Sequence, residues 1–145
     1  MNVALDTNIL GYAEGIDDPI RQAAATAIVQ RLRAHTMVLP AQVLGELSSI
    51  LLRKARFPAE TCAATIGKWV ALATIQQTDA KTIAVALELA ITHRLQFWDA
   101  AILAAAAEAE CQLLLSEDMQ DGFVWRGVTV ANPFAASPHP LLASL

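Results

Sequence analysis

The chain has 145 residues, 55% hydrophobic and 17% charged, with 14 acidic and 10 basic side chains for a net charge of −4. That length suits a single domain, 1–145, with a sizeable core, and no apolar run reaches the roughly 18 residues a membrane span needs. An acidic balance speaks against non-specific wrapping of nucleic acid. It leaves room for a metal-dependent enzyme, because setting aside four carboxylates for its site makes the remainder neutral.

Val3, Ala4 and Leu5 form a short apolar run that suits a strand buried on both faces. Asp6, Thr7 and Asn8 then interrupt it with residues that favour turns and helix caps, and Ile9, Leu10 and Tyr12 begin a helical pattern. Asp6 and Asn8 also interrupt any signal-peptide layout, so a cytoplasmic protein is expected. Asp18 and Pro19 predict a helix start, running to about residue 34 with Ile20, Ala24, Ile28 and Leu32 on one stripe. Met37, Val38 and Leu39 read as a second strand. Pro40 opens a helix over 41–55 with Val43, Leu47, Ile50 and Leu51 on its apolar face and Glu46 in its second turn. Phe57 and Pro58 break it. Further helices are predicted over 59–71 and 80–93, with a strand at 73–75 between them. Phe97, Trp98 and Asp99 lead into an alanine-rich helix. Cys111 to Leu115 read as a strand that ends at Ser116, Glu117 and Asp118. A last strand falls at 128–130, and a Pro- and Ala-rich tail starts near 132. Strands alternating with helices predict a three-layer α/β/α sandwich around a mostly parallel, roughly five-stranded sheet. Cys62 and Cys111, far apart and outside any CxxC, read as buried free thiols.

Three of the punctuation points carry an aspartate: Asp6, Asp99 and Asp118. Each alone could be an ordinary N-cap. A parallel sheet, however, gathers its strand ends at one edge, where ligands bind in such folds. Glu46 adds a carboxylate inside an apolar helical stretch, where burial without a partner is costly. Carboxylates brought together raise one another's pKa values unless a counter-charge intervenes. Mg²⁺ or Mn²⁺ with oxygen ligands supplies one, which points to phosphodiester or phosphomonoester chemistry.

The segment MNVALDTNILGYAEG, followed by LPAQVLGELSSILLRK, FWDAAILAAA, LLLSEDMQDG and NPF in that order, resembles the PIN-domain ribonucleases, in particular the VapC-like toxins of toxin–antitoxin systems. The resemblance covers nearly the whole chain. It implies a metal-dependent endoribonuclease whose four acidic positions fall on Asp6, Glu46, Asp99 and Asp118, with Glu117 and Asp121 close to the last. Ser116 matches the serine or threonine two residues before the fourth aspartate, and Thr7 and Asn8 match the polar pair beside the first. One or two Mg²⁺ or Mn²⁺ ions would activate a water for in-line attack on phosphorus, with Asp99 or Asp118 orienting that water. A cognate antitoxin and a homodimer are implied as partners. The surplus of apolar residues also points to a dimer, and Leu51 and Leu52 are candidates for the antitoxin groove.

Arg53, Lys54 and Arg56, with Lys68 as a neighbour, could clamp RNA phosphates, or could serve the end of their helix. Phe97, Trp98, Trp69 and Trp125 could stack bases, although aromatic residues more often pack a core. The three histidines show no ligand spacing. Three rivals compete. A phosphatase or phosphotransferase with Asp6 as nucleophile commonly needs a second aspartate two residues on, where Asn8 stands. A receiver-type signalling domain would need an acidic pair before its phosphorylated aspartate and a late lysine, and none follows Lys81. A PIN-like module with a failed metal site would only bind.

Overall fold

Strand β1 (Asn2–Leu5) buries Val3, Ala4 and Leu5 completely. A strand with no polar face needs strands along both edges and helices over both faces. The computed structural model describes Met1–Leu145 and supplies them. The other strands are β2 (Thr36–Pro40), β3 (Thr74–Gln76), β4 (Leu113–Leu115), β5 (Val124–Trp125) and β6 (Val128–Ala131). All six join one sheet in the order β3-β2-β1-β4-β6-β5. In β1, Val3 lies opposite Met37 of β2 on one side, and Leu5 opposite Leu115 of β4 on the other, both in parallel. The β2–β3 and β4–β6 pairs are parallel as well.

The winding of the chain positions the site. It moves outward from β1 through β2 to β3, then crosses back to β4 on the opposite side of β1. The reversal falls between β1 and β4, and at such a switch point a crevice opens beyond the carboxyl ends of the strands. Asp6 follows β1 directly and Ser116 follows β4 directly. The Asp6 N–H donates to the Leu115 carbonyl at 2.9 Å, which holds the two ends side by side.

Six helices complete the α/β/α arrangement: α1 (Thr7–Ala13), α2 (Pro19–Arg31), α3 (Ala41–Arg53), α4 (Ala59–Leu72), α5 (Ala80–His93) and α6 (Phe97–Glu108). Helix α1 packs on α2 and α3, and α3 on α4, while α5 packs on α6. In α3 the buried residues Val43, Leu47 and Leu51 recur at four-residue spacing, as a one-sided helix requires. Helix α6 differs. Every residue from Ala100 to Ala106 is buried, so the helix has no solvent face over two turns. Its alanines let it lie close to α5 and to strands β2, β3 and β6.

The structure corrects several expectations. The sheet has a sixth strand, because Arg126 and Gly127, both at positive φ (44° and 83°), form the two-residue loop of a β5–β6 hairpin. Helix α2 gives way at Leu32 to a 3-10 turn, and its buried residues are Ala25 and Ile28, whereas Ile20 is 83% exposed. The Pro- and Ala-rich tail beyond 132 is docked on the domain. Leu142 is buried there, its carbonyl accepts from the Arg31 guanidinium at 2.5 Å, and Phe134 meets the Tyr12 ring edge-on. Cys62 and Cys111 are free and buried, as expected. No helix is long and apolar enough to cross a membrane.

Candidate active site

Asp6 caps α1 and is only 5% exposed. Its Oδ1 accepts from the Thr7 N–H at 2.6 Å and its Oδ2 from the Ser116 hydroxyl at 2.6 Å. Ser116, fully buried at the end of β4, also accepts from the N–H groups of Asp118 and Met119 at 3.2 and 3.3 Å. One hydroxyl therefore ties the end of β1 to the loop that carries Asp118. Asn8 makes a second tie: its Nδ2 donates to Asp118 Oδ2 at 3.1 Å and, more weakly, to Asp6 Oδ2 at 3.4 Å.

Glu46 is half-buried on α3, flanking the Val43–Leu47 stripe. Thr7 Oγ1 donates to its Oε2 and Gln42 Nε2 to its Oε1, each at 2.6 Å. Asp99 sits in the first turn of α6, but it does not cap that helix. Gln96 does, accepting from the Asp99 N–H at 3.0 Å. The Asp99 carboxylate accepts no hydrogen bond from the protein. Asp118 lies in a bend after β4 and starts no helix. Capping thus accounts for part of Asp6 and for neither of the other two aspartates.

Asp6 and Asp99 feel the neighbouring carboxylates. Burial, above all, pushes the Asp6 carboxyl up to about 6; the Ser116 and Thr7 bonds pull against it, and the charges of Asp99 and Glu46 add to it. Burial likewise raises Asp99, followed by the charges of Asp118 and Glu46. No basic side chain answers them. The four ion pairs of the protein are Arg21–Asp18, Arg21–Glu117, Lys54–Asp17 and Lys68–Glu14, and none includes Asp6, Glu46, Asp99 or Asp118. As the side chains stand, no three acidic, histidine or cysteine groups are drawn together tightly enough to hold an ion. The donor set is nevertheless all hard oxygen and uncompensated, which fits Mg²⁺ or Mn²⁺ and not a thiolate-loving metal. The Oε1 atom of Gln42, next to Glu46, is buried without a donor.

A family model described as PIN domain matches residues 3–120, a span that begins in β1 and ends just beyond Asp118. The chain belongs to the PIN-domain family. No curated protein matches it. Its fold is shared with the VapC20 toxin of Mycobacterium tuberculosis, described as cleaving the sarcin–ricin loop, at 21% identity over 77% of this chain and 86% of that one, with a TM-score of 0.61. VapBC2 of Rickettsia felis, solved on a DNA fragment from its promoter, is 18% identical over 81% of this chain and 89% of that one, TM-score 0.63. A toxin–antitoxin complex from Klebsiella pneumoniae is 21% identical over 91% and 98%, TM-score 0.63.

Other acidic residues near the pocket of this PIN domain are already engaged. Glu117 accepts from the Tyr12 hydroxyl at 2.5 Å and from Arg21 Nε at 2.7 Å, and this bond pushes the Tyr12 phenol up to about 12. Asp121 accepts from the Asn132 N–H at 2.8 Å. Among the basic residues, Lys54 pairs with Asp17 and lines a pocket beside Thr7 and Asn8. Arg53 and Arg56 are exposed and unpaired. Lys68 pairs with Glu14 instead of joining them. Leu51 is fully buried and is not a groove residue, whereas Leu52 is 48% exposed. Trp69 belongs to the core, and Trp98, stacked edge-on against Phe97, is half-exposed.

Sequence reasoning missed Gln42, Tyr12 and Arg21. Only Gln42 left a signal, its four-residue spacing to Glu46 on one helix face.

Proposed function

We propose that this PIN domain is a divalent-metal-dependent endoribonuclease and the toxin of a toxin–antitoxin pair. The observation that carries the reading is the set of four carboxylates at one crevice with no protein cation to neutralise them. Asp6, Glu46, Asp99 and Asp118 would hold Mg²⁺ or Mn²⁺, which would lower the pKa of a water and offset charge on the phosphate and the leaving oxygen. The chain itself does the positioning. Ser116 and the Thr7 amide fix Asp6, Asn8 links Asp6 to Asp118, and Thr7 with Gln42 orients Glu46. Asp99 has its carboxylate oxygens free of protein donors and is raised in pKa, so it can orient the attacking water and take its proton.

A phosphotransferase using Asp6 as nucleophile commonly needs a second aspartate at residue 8. Asn8 is an amide whose N–H groups are committed to two carboxylates, and it has no proton to exchange. Solved neighbours described as VapBC2 and as a toxin–antitoxin complex support an antitoxin partner. Exposed Leu87 and Ile91, one turn apart on α5, support a homodimer. Arg53, Lys54 and Arg56 line the approach proposed for RNA phosphates.

Cleavage of a labelled mixed RNA pool by the purified, antitoxin-free chain tests the activity. Internal cuts with Mg²⁺ or Mn²⁺ that disappear with EDTA and in Asp6→Asn are expected. Metal-independent cutting, or full activity in Asp6→Asn, contradicts the proposal.

A further inference from the structure

Next to the carboxylates lies a pocket of about 130 Å³. Thr7 and Asn8, which hold Glu46, Asp6 and Asp118, line it on the side of the carboxylates, and Gly11, Tyr12, Ile16, Asp17, Ile50 and Lys54 complete the lining. A pocket of that kind could be an accident of packing, and Gly11 argues that it is not. Glycine inside a helix is destabilising relative to alanine, so it calls for a reason. None of the usual reasons applies. Gly11 does not have positive φ, and a Cβ added to it would meet nothing within 4 Å. Gly11 is nevertheless buried. The space over it belongs to the pocket, and what the missing side chain leaves open is the cavity itself.

The walls suit a flat, partly apolar ring. Ile16 and Ile50 are half-buried members of the apolar lining, and the Tyr12 ring, fixed by Glu117 and Phe134, borders the same space. A cavity of about 150 Å³ accepts benzene, so this one is scaled to a single six-membered ring. At its mouth Lys54 pairs with Asp17 at 2.5 Å, both side chains being more than half exposed. Such pairs contribute little, and an incoming phosphate can displace the aspartate.

Building on the nuclease reading, we infer that this pocket is the subsite for the RNA base beside the cleaved bond, that it prefers a pyrimidine, and that Lys54 contacts a neighbouring phosphate. Gly11 is then a specificity-determining residue, and it acts through the volume it leaves.

Two-dimensional amide NMR of the intact chain with cytidine, uridine, adenosine and guanosine 5′-monophosphates tests the subsite without requiring cleavage. The two pyrimidine nucleotides should shift the amides of Gly11, Ile16 and Ile50 and bind about 10-fold more tightly than the purine ones. Gly11→Leu should abolish those shifts, and Gly11→Ala, the variant less demanding of the fold, should weaken them. Lys54→Gln should weaken the nucleotides but not the free nucleosides. In cut-site sequencing of a randomised RNA pool, the wild type should show a pyrimidine at one position next to the cut, and Gly11→Leu should lose that preference. Equal binding of purines, shifts confined to other residues, or an unchanged cut-site preference in Gly11→Leu overturns the inference, the last pointing to an apolar side chain of a protein partner as the occupant. Pyrimidine shifts in a protein that cuts no RNA would leave the subsite standing and remove the nuclease reading instead.

Discussion

Asp6 shows what the site costs the fold. Its carboxyl titrates at about 6 in the folded chain against an ordinary 3.8. Between those values the folded state holds a proton that the unfolded state has released. Stability therefore falls as pH rises through that window and stays lowered above it. Two pKa units correspond to about 3 kcal/mol, a large share of the 5–15 kcal/mol of a typical domain. Asp6→Asn keeps the shape and removes the charge. In metal-free protein the variant should melt higher than wild type at pH 8, with the difference shrinking toward pH 4, while RNA cleavage is lost. A variant that melts lower at pH 8 would show that Asp6 is not an unfavourably buried charge. Ser116→Ala removes the hydroxyl that holds Asp6 and the Asp118 loop together. Supporting groups of this kind are worth about 10–100-fold in metal affinity or activity, and a loss of that size is expected in kcat/KM.

At the scale of elements, α6 is the rigid mount for Asp99. Seven consecutive buried residues leave it no room to adjust. Ala101→Leu should overpack it at about 1–3 kcal/mol, read by urea denaturation, and should lower cleavage as well by displacing Asp99. Unchanged stability would mean that α6 has space around it. The same helix shows what the sequence made legible. The long apolar alanine run suited a buried helix, and the apolar triplets of β1 and β4, bounded by turn residues, suited buried strands. Asp6, Asp99 and Asp118 stood out because they mark the ends of those elements. What stayed hidden depended on distant contacts. Strand β5 has two residues and is defined by its partner β6 and by positive φ at Arg126, a residue with no intrinsic preference for it. The engagement of Glu117 depends on Arg21, 96 positions away. Ile20 follows the periodicity of its helix yet is 83% exposed, while Arg21 beside it is the residue of that turn that meets Tyr12 and Phe134.

For the whole molecule, the −4 net charge equals the number of carboxylates left without a cationic partner at the crevice. The remaining charge is balanced, so a bound divalent cation should act on the entire folding equilibrium. At 100 times its Kd a ligand that binds only the folded state adds about 2.7 kcal/mol. Mn²⁺ should therefore raise the melting temperature of the wild type and not that of Asp6→Asn, as followed by calorimetry. The apolar surface left on α5 is a second global feature. Ile91 is 72% exposed and Leu87 53%. Ile91→Glu should convert a dimer to a monomer in light scattering without altering the fold, and an unchanged mass would place any dimer interface elsewhere.

The most direct measurement is an anomalous difference map from crystals grown with Mn²⁺. A manganese peak enclosed by Asp6, Glu46, Asp99 and Asp118 is the expected result. A crevice that stays empty at saturating Mn²⁺, or a strongest peak at any other group of carboxylates, would contradict the assignment of these four residues as the metal centre.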